Sequence, residues 1–191
     1  ELPSPTINSI VVDRDGLVWF ASDRGVGYLV PDGVLSGGRI DAVLPIYGQR
    51  RLLSNERTTA LAVEPGNRKW IGTRNGLYLF SSDGTDLIQQ FSTQNSPLPT
   101  DHIRALSFAD STGYLYVDTP NGMVSYRSGA TSPGATLATS TITVFPNPVR
   151  PGYDGVVGVK GLVENTVVKI TDLSGRLVHE TRSQGGTASW N

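Results

Sequence analysis

Three stretches of this chain share one spacing of acidic, aromatic and glycine residues. Each stretch has an aromatic residue that is preceded six positions earlier by an acid and followed six positions later by glycine. The acids are Asp13, Glu64 and Asp110, the aromatic residues Trp19, Trp70 and Tyr116, and the glycines Gly25, Gly76 and Gly122. The aromatic residues lie 51 and 46 positions apart. Repeats of roughly 40–50 residues with several short strands each are typical of propeller blades. The spacing therefore predicts three copies of one sheet-forming unit.

The middle copy contains the clearest β-hairpin signal. Two β-forming runs, residues 70–73 and 77–80, flank Arg74, Asn75 and Gly76. Asn-Gly between apolar runs favours a type I′ turn, which needs positive φ at both central residues. Because a Cβ at positive φ costs roughly 1–2 kcal/mol, we expect the three repeated glycines to be structural.

Composition narrows the class of protein. The 191 residues include 22 Gly and 12 Pro and keep no helical period over three turns, which favours an all-β, turn-rich chain. The formal net charge of −1, without a basic cluster, makes nucleic acid and an anionic membrane unexpected partners. No apolar run approaches the roughly 18 residues of a membrane span. The absence of cysteine excludes disulfides and thiolate metal sites.

The predicted strands fall into about three four-stranded blades of a partial β-propeller within residues 1–127. They are residues 7–12, 17–21, 26–30 and 40–44 in the first blade, 58–80 and 87–91 in the second, and 103–108, 114–117 and 123–126 in the third, which has no evident fourth strand. We expect Trp19, Trp70 and Tyr116 to pack between adjacent blades, each burying about 150–250 Å². An aromatic row can instead serve as a platform for a carbohydrate or nucleotide.

The pattern changes after the third copy. Residues 128–140 are small, polar and without periodicity, which predicts a linker. Residues 141–191 then contain predicted strands at 142–145 and 156–159 and a hairpin of 166–171 and 177–181 around Asp172-Leu-Ser-Gly-Arg176. Val168 and Ile170 alternate with Lys169 and Thr171, as in a half-buried strand. This region is expected to form a truncated immunoglobulin-like β-sandwich.

Both regions resemble known families. Residues 64–80, with WIGTRNGL, and 96–126, with LPTDHI, resemble the propeller repeats in periplasmic sensors of Bacteroidetes hybrid two-component regulators. Residues 144–191, with PNPV, DLSGR, GG and a final Trp, resemble the C-terminal sorting domain of the type IX secretion system. The combination resembles the PorZ-like surface proteins of that system.

The resemblance implies two propellers and a sandwich held on the outer membrane surface, in a complex that attaches cargo to anionic lipopolysaccharide. A propeller needs at least four blades, whereas this chain has three, and its tail ends before the final Gly-rich strands of the family. The chain also begins at Glu1 without an initiator Met. We therefore expect a processed or excised fragment whose signal peptide has been removed.

The residues offer little catalytic or metal chemistry. The sequence Asp13-Arg-Asp-Gly16 is similar to the start of a calcium-binding loop, but it lacks the Gly at position six and the Glu at position twelve of that loop. An Asx-type turn is therefore the favoured interpretation. The two histidines, His102 and His179, have no clustered ligand partner, and no Gly-x-Ser-x-Gly motif supplies a nucleophile. Because some propeller lyases use His and acids on one face, catalysis at His102 remains an alternative. No cofactor or metal is expected.

Ligands of propellers usually bind where the segments leading into the inner strands meet the turns between second and third strands. The candidate ligand-binding residues at that end are Arg24, Arg74, Asn75, Asp101, His102 and Asn121. The two arginines could pair with phosphate or carboxylate groups. The alternative is that these turn residues are polar only because the turns are exposed to solvent. We expect a non-enzymatic surface scaffold with secretion-system or other cell-surface proteins as partners, and an anionic lipopolysaccharide as ligand. The alternatives are a periplasmic ligand sensor and a propeller lyase.

Overall fold

The computed structural model describes residues 2–31, 41–134, 137 and 142–190, and these contain β-strands but no α-helix. The strands are β1 (Ile7–Val12), β2 (Val18–Ser22), β3 (Gly25–Leu29), β4 (Ile46–Tyr47), β5 (Arg50–Arg51), β6 (Thr58–Val63), β7 (Lys69–Thr73), β8 (Leu77–Phe80), β9 (Leu87–Phe91), β10 (Ala105–Ala109), β11 (Tyr114–Thr119), β12 (Gly122–Arg127), β13 (Thr143–Phe145), β14 (Val157–Lys160), β15 (Val167–Thr171), β16 (Leu177–Arg182) and β17 (Thr187–Trp190). The all-β prediction is confirmed. Within the described residues, no helix is long and apolar enough to cross a membrane.

Three antiparallel sheets of three or four strands follow one another along residues 7–127, and the two-stranded β4-β5 sheet lies between the first two in the sequence. The first sheet has the order β1-β2-β3, the second β6-β7-β8-β9 and the third β10-β11-β12. We call them blades 1, 2 and 3. Four strands are present in blade 2, whereas blades 1 and 3 have three in the part that the structure describes. The predicted outer strand of blade 1 begins at Ile40, outside the described residues, and its remainder forms one bridge between Val43 and Tyr28.

Alternation along the middle strands decides which blade each side chain contacts. Trp19 lies with Ile71 and Phe80 in a cluster between blades 1 and 2. Trp70 lies with Leu115 and Val117 in a second cluster between blades 2 and 3. Both tryptophans are buried. Successive side chains of a strand point to opposite faces, so the middle strand of blade 2 contributes Ile71 to the first cluster and Trp70 to the second.

Tyr116 occupies the corresponding strand position in blade 3, but its surroundings differ. Its neighbours Leu115 and Val117 are buried against blade 2, so Tyr116 points to the other face of the sheet. No further blade covers that face in the described part of the chain, and Tyr116 is 41% exposed. The repeat position is therefore the same, whereas the packing between blades is limited to the two tryptophans.

The acid that precedes each tryptophan accepts a hydrogen bond from its indole. Trp19 Nε1 donates to Asp13 Oδ2 at 2.8 Å, and Trp70 Nε1 donates to Glu64 Oε2 at 3.0 Å. A buried indole N–H needs an acceptor, and the turn between the inner and second strands places the carboxylate over it. In blade 3, the phenol ring of Tyr116 has no ring N–H, and Asp110 instead pairs with Arg14 of blade 1.

Blade 2 carries a buried lysine at a position where the other repeats have Val18 and Leu115. Lys69 Nζ lies 3.0 Å from Asp13 Oδ2, and both side chains are almost fully buried. The ammonium also donates to Asn67 O at 2.6 Å and lies 4.9 Å from the centroid of the Trp19 ring. Because all of these partners lie between blades 1 and 2, the ion pair fastens the two sheets together.

The type I′ turn predicted around Asn75-Gly76 is wrong. Gly76 has a φ of +142°, but Asn75 is not among the described non-glycine residues with positive φ. Thr73 N–H donates to Gly76 O at 2.9 Å, so Thr73 pairs with Gly76 and the two central residues of the turn are Arg74 and Asn75, not Asn75 and Gly76. The Thr73 hydroxyl stabilises the loop by donating to Gly76 O and accepting the Asn75 N–H. Thus only the glycine needs positive φ.

We expect Gly25→Ala to destabilise the protein more than Gly122→Ala. Gly25 and Gly122 both have positive φ, at +89° and +129°. A Cβ on Gly25 would lie 2.4 Å from Leu52 O, whereas a Cβ on Gly122 would meet nothing within 4 Å. Strain at positive φ costs roughly 1–2 kcal/mol at either position, and the backbone clash adds to it at Gly25 only. Urea unfolding of the two variants measures the difference, and equal losses would contradict the expected close approach.

The tail contains two smaller sheets. One has the order β13-β14-β17 and the other is the β15-β16 hairpin, whose connecting turn is held by Asp172 Oδ1 accepting the Ser174 and Arg176 N–H groups. In the described part of the tail, the buried apolar side chains are Leu162 and Ala188. The immunoglobulin-like arrangement and the domain limits 1–127, 128–140 and 141–191 stay predictions.

The first half of the predicted linker is bound on both sides. Ser132 N–H donates to Asp110 O of blade 3 at 2.9 Å, and Gly134 N–H donates to Leu162 O of the tail at 2.9 Å. Gly186 N–H donates to Thr131 O at 2.7 Å, and a Cβ on Gly186 would lie 2.5 Å from Ser132 O. Residues 135, 136 and 138–141 lie outside the described part. Residues 128–134 therefore join the tail to blade 3 through backbone contacts.

Candidate binding surface

The six candidate residues lie at one end of the three blades. Arg24, Arg74, Asn75 and Asn121 belong to the turns that connect the second and third strands, and Asp101 and His102 precede β10. Neighbouring blades are joined here because Gly25 N–H donates to Glu56 O at 3.2 Å and Ile103 N–H donates to Thr73 O at 2.9 Å. The turns of blades 1 and 2 thus each contact the segment leading into the next blade. We call this end the turn surface.

The exposed residues of the turn surface are held by their turns. Arg24, Arg74, Asn75 and Asn121 are exposed. In each turn, a hydroxyl three residues before the repeated glycine donates to that glycine's carbonyl, at 2.8 Å from Ser22, 3.2 Å from Thr73 and 2.6 Å from Thr119. A hydroxyl–carbonyl bond of this kind restricts the turn and fixes where its tip lies.

Most charges around the turn surface are paired. Arg57 Nε lies 2.9 Å from Asp23 Oδ1, and Arg104 Nε lies 3.4 Å from Asp118 Oδ2. Asn75 Nδ2 donates to Glu56 Oε2 at 2.7 Å. No carboxylate of the described residues pairs with the guanidinium of Arg24 or Arg74. These two arginines are therefore the cations of this surface that remain available to an anion.

Asp101 and His102 do not form an acid–base pair. Asp101 Oδ1 accepts the Thr93 N–H at 2.6 Å, and Asp101 Oδ2 lies 3.3 Å from Thr93 Oγ1. In the part of the chain that the structure describes, Asp101 and His102 form no hydrogen bond with each other. The backbone N–H of His102 donates to Thr100 Oγ1 at 3.4 Å. Asp101 thus anchors the segment before β10, and the pairing that a lyase mechanism would use is not formed here.

A tyrosine that the sequence did not single out lies beside two carboxylates of this end. Burial raises the pKa of the Tyr78 phenol, and the negative charges of Glu56 and Asp101 raise it further. Tyr78 Oη accepts a hydrogen bond from Gln90 Nε2 at 3.3 Å. The phenol therefore stays neutral at physiological pH and can only donate or accept hydrogen bonds.

The turn surface includes further side chains that position the candidate residues, and the six-residue spacing alone did not reveal them. Glu56 accepts a hydrogen bond from Asn75 but lies in irregular sequence, and Asp23 pairs with Arg57 but has the different residues Arg74 and Pro120 at its position in the other copies. The hydroxyl column of Ser22, Thr73 and Thr119 was visible in the sequence, three residues before each repeated glycine. Comparing that column across the three copies would have identified the residues that hold the turns.

The Asx-type interpretation of the Asp13 turn agrees with its hydrogen bonds. Asp13 Oδ1 accepts the Asp15 and Leu17 N–H groups, each at 2.9 Å, and Oδ2 accepts from Trp19 and Lys69. A carboxylate so surrounded by N–H donors has little capacity left for a cation. Across residues 2–31, 41–134, 137 and 142–190, no three His, Asp or Glu side chains are grouped as metal ligands.

Comparison with solved structures relates the chain to surface proteins. The structure superposes with a TM-score of 0.69 on PorZ of Porphyromonas gingivalis, an essential surface component of the type IX secretion system. The identity is 36% over 97% of this chain, and the match covers 26% of PorZ. The chain thus spans about a quarter of the length of PorZ. No curated protein sequence matches it.

Two further matches concern the propeller. The extracellular domain of a hybrid two-component system protein from B. thetaiotaomicron superposes with a TM-score of 0.51 at 15% identity, covering 95% of this chain and 23% of its own. This likeness concerns the fold alone. The family described as "Two component regulator propeller" matches residues 1–24, which contain β1 and β2. The chain is therefore PorZ-like, with repeats of the two-component-regulator propeller type.

Proposed function

We propose that the chain is a non-enzymatic binding and scaffold part of a surface component of the type IX secretion system. The observation that carries this proposal is its 36% identity to PorZ over 97% of its length. Blades joined by the buried Lys69–Asp13 ion pair and by shared backbone hydrogen bonds provide a rigid support on which loops can bind partners. The partners are other secretion-system or cell-surface proteins.

The turn surface is the proposed binding site, with anionic lipopolysaccharide as its ligand. Arg24 and Arg74 are exposed on turns of blades 1 and 2, and no carboxylate of the described residues neutralises them. Guanidinium groups bind phosphate and carboxylate through two parallel N–H···O bonds, so a pair of them suits an anionic glycolipid. Asn75 and Asn121 add amide groups that can bond to hydroxyls.

Location distinguishes this function from periplasmic sensing, the second candidate. Sensing is favoured by the match of residues 1–24 to the two-component-regulator propeller family. Intact cells would be treated with a membrane-impermeant amine reagent, for which the Lys169 side chain, 63% exposed, offers a target. A surface scaffold is labelled at the same extent before and after outer-membrane permeabilisation. Labelling only after permeabilisation would contradict the surface location and favour the sensor.

We expect the double variant Arg24→Gln/Arg74→Gln to weaken binding of purified lipopolysaccharide at least tenfold. Each lost charge-assisted contact costs about 1.5–3 kcal/mol, or roughly tenfold in affinity. Surface plasmon resonance with immobilised lipopolysaccharide measures the change. Arg150→Gln is the matched control, because Arg150 is also exposed but lies in the tail. Equal binding by the double variant and the control would contradict the proposed site.

The proposed absence of catalysis is tested at His102. Replacing it with alanine should leave the fold and the binding of protein partners unchanged, because a scaffold needs no acid–base group at this position. A polyuronate or other lyase substrate that is turned over by the protein and not by His102→Ala would contradict the non-enzymatic assignment.

A further inference from the structure

A second charged region lies between blade 3 and the tail, away from the turn surface. A cleft of about 760 Å³ opens there, lined on one side by the β6–β7 turn and the end of β12 and on the other by β14, β16 and β17. The residues that join the two sides, Thr131 and Gly186, are linked by the 2.7 Å backbone hydrogen bond. The hydroxyls of Thr131 and Thr187 meet at 2.7 Å in the same wall. The cleft is therefore part of a bonded junction.

Four cationic side chains line this cleft. Arg68 and Arg127 belong to the blades, and Lys160 and Arg182 belong to the tail. Arg68 is paired with the buried carboxylate of Glu64, so its charge is balanced. The other three have no carboxylate partner in the described residues. Cations that converge from two separate elements raise the local potential, because each is held there by its own backbone.

The contacts of the three unbalanced cations are with neutral groups. The Arg127 guanidinium lies 6.0 Å from the centroid of the Tyr114 ring, and Lys160 Nζ lies 5.0 Å from that of Phe145. Arg182 donates to the side-chain oxygen of Asn165 at 3.3 Å. Ring and amide contacts orient a cation without neutralising it. All three therefore keep their charge for a ligand.

The rest of the lining suits a tetrahedral oxyanion. No Asp or Glu is among the lining residues, whereas Thr181, Gln184 and Ser189 add hydroxyl and amide donors. A phosphate group offers three oxygens that each accept more than one hydrogen bond, whereas a carboxylate offers two. We propose that this cleft binds a phosphate group and thereby links the tail to blade 3.

The proposal is tested by titrating the isotope-labelled protein with inorganic phosphate at constant ionic strength. We expect changes in backbone amide chemical shifts that are confined to cleft residues such as Gly129 and Gly158. If the phosphate group is carried by a sugar, glucose 6-phosphate should change the same chemical shifts. Glucose alone should cause none. Absence of localised shifts with phosphate, or equal shifts with acetate at the same concentration, would overturn the assignment of a phosphate site.

Matched variants separate this site from the turn surface. Arg127→Gln/Lys160→Gln should weaken phosphate binding at least tenfold, because two charge-assisted contacts are lost. Arg24→Gln/Arg74→Gln removes the same charge at the turn surface and should leave phosphate shifts in the cleft unchanged. The proposal is wrong if the first double variant binds phosphate like the unaltered protein, or if only the second loses binding. Unchanged far-UV and amide spectra of both variants establish that they are folded.

Discussion

Lys69→Met should lower the free energy of unfolding by about 3–5 kcal/mol, because removing one partner leaves a buried carboxylate without its counter-charge. Asp13 and Lys69 are both almost fully buried, and their atoms lie 3.0 Å apart between blades 1 and 2. Methionine keeps much of the volume of lysine and removes only the charge and its hydrogen bonds. Equilibrium unfolding in urea, followed by tryptophan fluorescence, measures the loss.

Two further variants isolate the ion pair. Lys169→Met removes the same group from an exposed pair with Glu180, at 3.6 Å, and should cost no more than about 1 kcal/mol. Lys69→Met/Asp13→Asn removes both charges and should be more stable than Lys69→Met alone, since no carboxylate is then buried without a partner. A double variant less stable than the single one would contradict this explanation.

The pH dependence of stability should reveal the same carboxylate. Burial raises the pKa of Asp13, but hydrogen bonds from Lys69, Leu17 and Trp19 outweigh it and hold the pKa below its ordinary 3.8. Since the folded state favours the ionised form, the stabilisation is complete above pH 3.8 and is lost as the pH falls through the lowered value. Unfolding free energies below pH 3.8 should therefore fall less steeply in the Asp13→Asn variant. Parallel curves would exclude Asp13 as the titrating group.

Trp70→Ala should destabilise the protein by about 3–5 kcal/mol, the range for truncating a large buried aromatic side chain. Trp70 is fully buried between blades 2 and 3, where its ring centroid lies 5.6 Å from that of Tyr126 and 6.0 Å from that of Phe91. Truncation would also remove the indole donor from Glu64, which is itself buried. Thermal and urea unfolding measure the loss.

Tyr116→Ala is the matched control in the third repeat. Tyr116 has the same strand position, but its 41% exposed side chain lies on an uncovered face, so we expect a loss of about 1 kcal/mol or less. Trp70→Phe keeps most of the ring and removes the N–H, which isolates the bond to Glu64. Equal losses for Trp70→Ala and Tyr116→Ala would contradict the packing of tryptophan between blades.

The sequence by itself determined the repeat and the placement of most strands. The acid–aromatic–glycine spacing located Trp19 and Trp70 because a turn of fixed length must bring the carboxylate over the indole six residues later. Short runs of β-forming residues located β1, β8 and β9 at their observed bounds. Both signals are local, since they depend on residues that are close along the chain.

Only the tertiary structure decided what depends on distant residues. It decided that Lys69 pairs with Asp13, that Asn75 contacts Glu56, and that the central residues of the β7–β8 turn are Arg74 and Asn75. The cleft of Arg127, Lys160 and Arg182 likewise gathers charges from three strands without a shared motif. These pairings are fixed by how sheets pack. A charged side chain can pair with one on another blade only after packing has brought the two backbones together. The distance between such side chains cannot be read from the residue spacing within one segment.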